Sequence, residues 1–248
     1  MKKIGIYVHI PFCRQKCKYC DFISFANKEE LKSKYFETLL KEIEECTEKD
    51  FEVNTIYFGG GTPSSVSSKY IIDIINKIKE KFLISKDAEI TIEVNPGTVD
   101  KQMLIDYKTN GFNRISIGLQ AVQDRLLNEL GRIHSYKDFV DCYTLVQNVG
   151  FKNINVDLML GLPNQSLKDL QESIIKLIRL EPKHISLYSL IVEDGTPLER
   201  EIKDGTFKLP NDEYEREMYD SAKKLLEKNG YIHYEISNFA KKGFDKDY

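Results

Sequence analysis

No stretch of this 248-residue chain stays apolar for long enough to cross a bilayer. The first hydrophobic run, Ile4 to Ile10, is too short to span. The two lysines before it lead into no signal-peptide core or small-residue cleavage site, so a cytoplasmic location without an integral membrane segment is expected. Excess charge of one sign is missing as well: 36 Lys and Arg stand against 39 Asp and Glu, a net −3. That balance gives no broad positive field to attract nucleic acid or an acidic membrane. Internal repeats, low-complexity tracts and linkers are also lacking. With 41% hydrophobic residues the length suffices for one full core, and one domain, 1–240, is expected. The Lys- and Asp-rich residues 241–248 read as a solvated tail.

A disulfide framework is excluded too. Five cysteines are an odd number, and three of them, Cys13, Cys17 and Cys20, fall within eight residues. Thiols that close together in a reducing compartment bind metal or do redox chemistry more often than they cross-link. Cys46 and Cys142 stand alone on helical patterns and read as small buried hydrophobes.

What the chain does have is a β-then-α rhythm. Short β-branched runs at Ile4–Ile10, Thr55–Phe58, Glu89–Val94, Arg114–Gly118, Asn153–Met159 and His184–Leu190 read as strands. Helical patterns lie between them, at 29–46, 69–82, 101–110, 124–130, 136–148 and 167–179, with Gly111 and Gly150 as stop signals and Ser166 with Asp169 as a capping box. Strands alternating with crossover helices imply a parallel sheet of an α/β protein. Six right-handed units curl into a partial (β/α)6 TIM-like barrel. Ligands of such folds gather at the carboxyl ends of the strands.

The unusual residues fall there. After the first strand comes a C-x3-C-x2-C run. Three thiolates leave one iron of a four-iron cube open to a non-protein ligand, while the same thiols completed by His9 or another side chain would make a zinc site. The second strand ends in Gly59-Gly60-Gly61-Thr62-Pro63, where missing side chains let backbone approach a ligand; a tight turn explains the glycines equally well. Glu93 ends the third strand, Gln120 follows the fourth, Arg132 lies one helix later and Asp157 sits in the fifth. Arg132 can clamp a carboxylate, or it can pair with Asp157. His9 reads as a strand-end histidine with a satisfied hydrogen bond, and His134, His184 and His233 as structural or surface groups.

The cysteine spacing after a first strand, with Tyr19 before the third cysteine, resembles the radical-SAM superfamily. Together with the strand-end motifs it is similar, nearly end to end, to the branch containing oxygen-independent coproporphyrinogen III oxidase and its heme-chaperone relatives. The resemblance implies a [4Fe-4S] cluster on Cys13, Cys17 and Cys20. It implies that the open iron is chelated by S-adenosylmethionine, from which an electron releases a 5′-deoxyadenosyl radical. It further implies that Tyr7, Gly60, Gly61, Thr62, Glu93, Gln120, Arg132 and Asp157 contact S-adenosyl-L-methionine, with Tyr19 near the adenine. On pattern alone Tyr7 reads as core.

Within that branch the oxidase carries a further cysteine shortly after the third and a long segment before the cluster. Here Cys20 is followed by Asp21-Phe22, and the cluster motif starts at residue 13. The resemblance therefore favours the chaperone side: a protein that binds heme and hands it to an acceptor protein, with a reducing electron donor such as flavodoxin or ferredoxin. Decarboxylation of coproporphyrinogen III, another radical reaction and a zinc-binding module are the alternatives. One departure stands out. Tyr234 to Ala240 resembles the run before a His-Asn-x-x-Tyr-Trp heme motif, yet the chain has no tryptophan and its four histidines match no part of it. Residues 241–248 then read as the start of a truncated C-terminal region, and heme binding is expected only with the missing part.

Overall fold

The computed structural model describes residues 2–47 and 50–245. Its elements in chain order are β1 (Lys2–Ile10), β2 (Phe12–Cys13), β3 (Phe25–Ala26), α1 (Glu29–Glu45), β4 (Phe51–Gly60), α2 (Ser68–Lys81), β5 (Leu83–Val94), α3 (Lys101–Thr109), β6 (Arg114–Gln120), α4 (Asp124–Glu129), α5 (Tyr136–Val149), β7 (Asn153–Leu160), α6 (Leu167–Ile178), β8 (His184–Ser189), α7 (Pro197–Lys203), α8 (Asp212–Lys228), β9 (Ile232–Glu235) and β10 (Asn238–Ala240).

The main sheet runs β1-β4-β5-β6-β7-β8-β10-β9. From β1 to β8 every pairing is parallel, and the sheet curls into a half-barrel as the six-strand pattern predicts. The sequence pattern did not show β9 and β10, which extend the sheet as an antiparallel pair on β8. Nor did it show α7 and α8. Residues 241–244 are docked rather than free: Lys241 N–H donates to the Lys183 carbonyl at 2.9 Å and its ammonium lies over the Tyr231 ring. Residues 246–248 of the expected tail lie outside the described residues.

Side-chain alternation along each strand sorts the two faces of the sheet. Ile90, Ile92 and Val94 on β5, Ile115 and Ile117 on β6, Ile154, Val156 and Leu158 on β7, and Ile185 and Leu187 on β8 are buried in one continuous core. Helices seal that face with regular apolar stripes, such as Ile71, Ile74, Ile75 and Ile78 on α2 or Leu170, Ile174 and Leu177 on α6. Most of these helices are started by a cap that satisfies orphan N–H groups, though α1 and α4 have no side-chain cap. Ser135 with Asp138 and Ser166 with Asp169 both form complete capping boxes, the latter as expected. The opposite positions, including Tyr57, Glu93, Arg114, Asn155, Asp157 and His184, are polar and line the lumen. A second apolar cluster gathers Leu126, Leu127, Leu130, Met159, Leu162 and Leu198 beside the half-barrel mouth, with Tyr19 packed against it.

Candidate functional site

The cysteine loop sits where β1 and β4 end. Gly61 N–H donates to the Ile10 carbonyl at 2.9 Å and Thr62 N–H to the Phe12 carbonyl at 2.8 Å, so the glycine run and the loop are joined backbone to backbone. That closeness requires glycine: a Cβ on Gly61 would lie 2.8 Å from the Phe12 carbonyl oxygen and 3.0 Å from Cys13 Sγ. Further along, the loop is tied to other strand ends. Arg14 donates to the Gly97 carbonyl, Gln15 to the Gly131 carbonyl, and Lys18 N–H to the Leu130 carbonyl. Lys18 also pairs with Glu201 of α7 at 2.6 Å. Cys13, Cys17 and Cys20 are therefore presented on a loop braced from several sides, all three as free, part-exposed thiols.

Burial pushes the Cys17 thiol up, with the Arg132 guanidinium opposing. Among the described residues, no three His, Cys, Asp or Glu side chains converge to hold one metal ion. A tetrahedral zinc needs such convergence. A four-iron cube does not, because each thiolate takes a different iron. Cys142 is buried in α5 as expected, whereas Cys46, the extended cap residue after α1, is only half-buried.

A polar chain runs from the loop across the mouth. Thr62 donates to Cys13 Sγ at 3.4 Å, Asn95 Nδ2 donates to Thr62 Oγ1 at 2.9 Å, and Arg132 Nη1 donates to Asn95 Oδ1 at 3.0 Å. Beneath it three polar side chains close over Gly118: a Cβ there would lie 2.9 Å from Asn95 Oδ1, 3.2 Å from Gln120 Nε2 and 3.3 Å from Arg132 Nη2. Gln120 is buried and holds a left-handed backbone, φ 72°, at a register shift of β6 against β7. That conformation is strained for a residue with a Cβ, and the amide packs over Gly118. Arg132 Nε is buried with no partner among the described residues, a donor that an incoming acceptor group would satisfy.

Deeper in the lumen Tyr57 donates to Glu93 Oε1 at 2.8 Å, and Tyr7 stacks on Tyr57 with centroids 6.2 Å apart. Shielding from water raises the Glu93 carboxyl to about 7, Asp157 adding repulsion while the Tyr57 hydrogen bond opposes the shift. Asp157 is also raised by desolvation, although it accepts from Asn155 at 2.7 Å and more weakly from Ser116. Tyr7 is 58% exposed on the lumen face and so is not a core residue. His9 bridges both levels: Nε2 donates to the Ile23 carbonyl at 2.8 Å, which leaves Nδ1 to accept from Tyr7, 3.2 Å away. Its ring covers Gly60, φ 112°.

The structure thus brings the cysteine loop, Gly60, Gly61, Thr62, Gln120 and Arg132 to the mouth, and sets Tyr7, Glu93 and Asp157 below them. Arg132 and Asp157 form no direct ion pair; each has its own partners. Tyr19 is turned toward the second apolar cluster, with the Arg132 guanidinium 5.9 Å from its ring centre. Asn95 and Tyr57 were missed from sequence. Asn95 stood before Pro96-Gly97 and so resembled an ordinary turn residue.

Comparison with known proteins agrees with this geometry. The heme chaperone HemW of Buchnera aphidicola from Schizaphis graminum is 39% identical over 98% of this chain and 64% of its own length. HemW of Bacillus subtilis is 39% identical over 96% of this chain and 64% of its own. The chain therefore spans somewhat under two thirds of these relatives. The solved coproporphyrinogen III oxidase HemN of Escherichia coli, a radical SAM enzyme, superimposes with a TM-score of 0.88 at 26% identity, covering 98% of this chain and 56% of that one. The model of the Radical SAM superfamily matches residues 7–177, the span from the lumen tyrosine of β1 through the α6 crossover, and the chain belongs to that superfamily.

Proposed function

We propose that this chain is the cluster- and S-adenosylmethionine-binding part of a heme-chaperone-like protein that hands heme to an acceptor. Cys13, Cys17 and Cys20 hold a [4Fe-4S] cluster in this reading. Tyr7, Gly60, Gly61, Thr62, Glu93, Gln120, Arg132 and Asp157 receive S-adenosylmethionine, with Tyr19, whose ring lies under the Arg132 guanidinium, on the adenine side. When bound, the cluster supplies the electron that cleaves the sulfonium, drawn from a donor of the flavodoxin or ferredoxin kind.

The observation that carries the reading is the buried, unpartnered Arg132 Nε beside the cysteine loop. Arg132, Cys17, Thr62 and Asn95 line one small pocket at the mouth, and the amide of the strained Gln120 packs beside Arg132 over Gly118. An amino acid's carboxylate satisfies that donor. Glu93 and Asp157, acceptors shielded from water, suit an ammonium or ribose hydroxyls. The residues of the chain bind and orient; the lumen walls exclude bulk water from the same space.

Heme transfer rests on the HemW relatives. The oxidase reading has the fold of HemN in its favour, but Asp21 and Phe22 stand where that enzyme type has its extra cysteine.

The test is anaerobic reconstitution followed by electron paramagnetic resonance of the reduced protein with and without S-adenosylmethionine, in the native chain and Cys17→Ala. A [4Fe-4S] signal that shifts with S-adenosylmethionine and disappears in the variant is expected. Zinc without iron, or a cluster indifferent to S-adenosylmethionine, would overturn the assignment. Formation of protoporphyrinogen IX from coproporphyrinogen III under reducing conditions would replace the chaperone reading with the oxidase one.

A further inference from the structure

The lumen is open below the mouth. A cavity of about 280 Å³ is lined by Thr55, Glu89, Arg114, Asn155, His184 and Tyr188, among others. Arg114 opens β6, four residues before Gly118, so this floor lies roughly 13 Å below the mouth at the usual rise per strand residue. Tyr57, which also lines it and bonds Glu93, and Asn155, which bonds Asp157, form the wall it shares with the site above.

The polar groups of this floor are unevenly satisfied. Glu89 is only 8% exposed and has three partners: Asn153 Nδ2 at 3.2 Å, Thr91 Oγ1 at 3.3 Å and Arg114 Nε at 3.6 Å. Arg114 is 6% exposed, and that single contact through Nε is its whole set of ion pairs. Its Nη1 and Nη2 donate to no described residue, yet the guanidinium lines the cavity. The Thr55 hydroxyl likewise donates to no described residue.

The remaining groups are committed elsewhere. Asn155 gives its Nδ2 to Ser116 and Asp157, so its Oδ1 faces His184 and accepts from Nδ1 at 2.6 Å. His184 Nε2 then accepts from Tyr234, also at 2.6 Å. Burial and the nearby Arg114 hold His184 neutral, down to about 3, so it contributes no second cation. What the floor offers to a guest is therefore a donor fork plus a hydroxyl beside the Glu89 carboxylate, while Glu93 and Asp157 also feel the Arg114 charge.

A guanidinium fork matches a carboxylate bidentately and strongly, more so in a water-poor site. The cavity of about 280 Å³ is ample for an acid of a few carbons. We propose that the barrel floor binds a small free carboxylic acid, with the carboxylate on Nη1 and Nη2 of Arg114 and a hydrogen bond from Thr55. The source that competes with it is the propionate arm of a tetrapyrrole seated above.

Propionate and succinate are the probes, titrated by calorimetry into the purified, cluster-free chain, so that failure here leaves the cluster assignment untouched. Saturable one-to-one binding is expected. Glu89→Gln should tighten it severalfold by removing the like charge, an effect that a purely structural role would not produce. Arg114→Gln should abolish it. The paired variant Glu89→Gln/Arg114→Gln removes both buried charges together and keeps the test valid if Arg114→Gln alone misfolds; it too should not bind. Absence of saturable binding in the native chain, or binding that survives the paired variant, overturns the proposal. So does Arg114-dependent binding of a dipropionate porphyrin without binding of either small acid, which would point to the tetrapyrrole arm.

Discussion

Arg132 reaches Cys13 through two intermediaries: its Nη1 bonds Asn95 Oδ1 at 3.0 Å, Asn95 bonds Thr62, and Thr62 bonds the sulfur. An arginine after α4 is thereby coupled to a thiol after β1 by side chains from the ends of β4 and β5. Asn95 is the only member of that chain bonded on both sides through its side-chain amide. Replacing it by alanine leaves Arg132 with a second unpartnered donor beside Nε. Asn95→Ala should cost about 1–3 kcal/mol of stability, read by urea unfolding, and weaken the response of the reduced cluster to S-adenosylmethionine.

Gly61→Ala tests the joint between the glycine run and the cysteine loop. The added Cβ meets the carbonyl oxygens of Phe12 and Ile10 and the Cys13 sulfur, and backbone cannot step aside as a flexible side chain would. The circular dichroism spectrum should stay native, while iron and sulfide per chain after reconstitution fall sharply. Native iron content in this variant would show that the close approach is not needed for loading.

Glu93 makes binding depend on pH in a defined direction. Its carboxyl titrates near 7 in the folded chain, above the value of about 4.3 for a free glutamate. Protonation therefore favours the empty fold. That contribution is complete below the unfolded value and is lost as pH rises through about 7. A ligand bringing an ammonium group needs the ionised form. The apparent affinity for S-adenosylmethionine should thus fall as pH drops below about 7, with proton release on binding. Calorimetry in buffers of different ionisation enthalpy checks this, and Glu93→Gln should flatten the profile.

Heme addition separates the two halves of the functional reading. The 248 residues contain no His-Asn-x-x-Tyr-Trp run. The chain should load its cluster yet take up heme weakly and below stoichiometry. A one-to-one complex with an axial-histidine absorption spectrum would show that other residues suffice.

Much of the scaffold was legible because its signals are local. Continuous β-branched runs marked the six parallel strands, and Ser166 with Asp169 marked a helix start through chemistry confined to four residues. What escaped lacked such signals. Of the 17 residues of α8 only Met218, Ala222 and Leu226 are buried, so charged side chains obscured a narrow stripe. Strands β9 and β10 have four and three residues, and the hairpin joins the sheet where β10 pairs with β8, about 50 residues away and beyond the reach of periodicity. Asn95 gains its role from where Thr62 and Arg132 come to rest, and a window around Pro96 and Gly97 holds no trace of either. The left-handed backbone of Gln120 was equally invisible, since nothing in Gly118-Leu119-Gln120 requires it.

The sheet's two faces divide labour between holding the fold and meeting guests. Cohesion resides in the layer between strands and helices, where Ile92, Ile117 and Val156 meet their apolar neighbours; the lumen face adds little to it. Inward substitutions that keep the buried hydrogen bonds paired can therefore change what the protein recognises while leaving the apolar layer intact. Such a wall can accept one guest chemistry after another over evolutionary time without rebuilding the barrel that surrounds it.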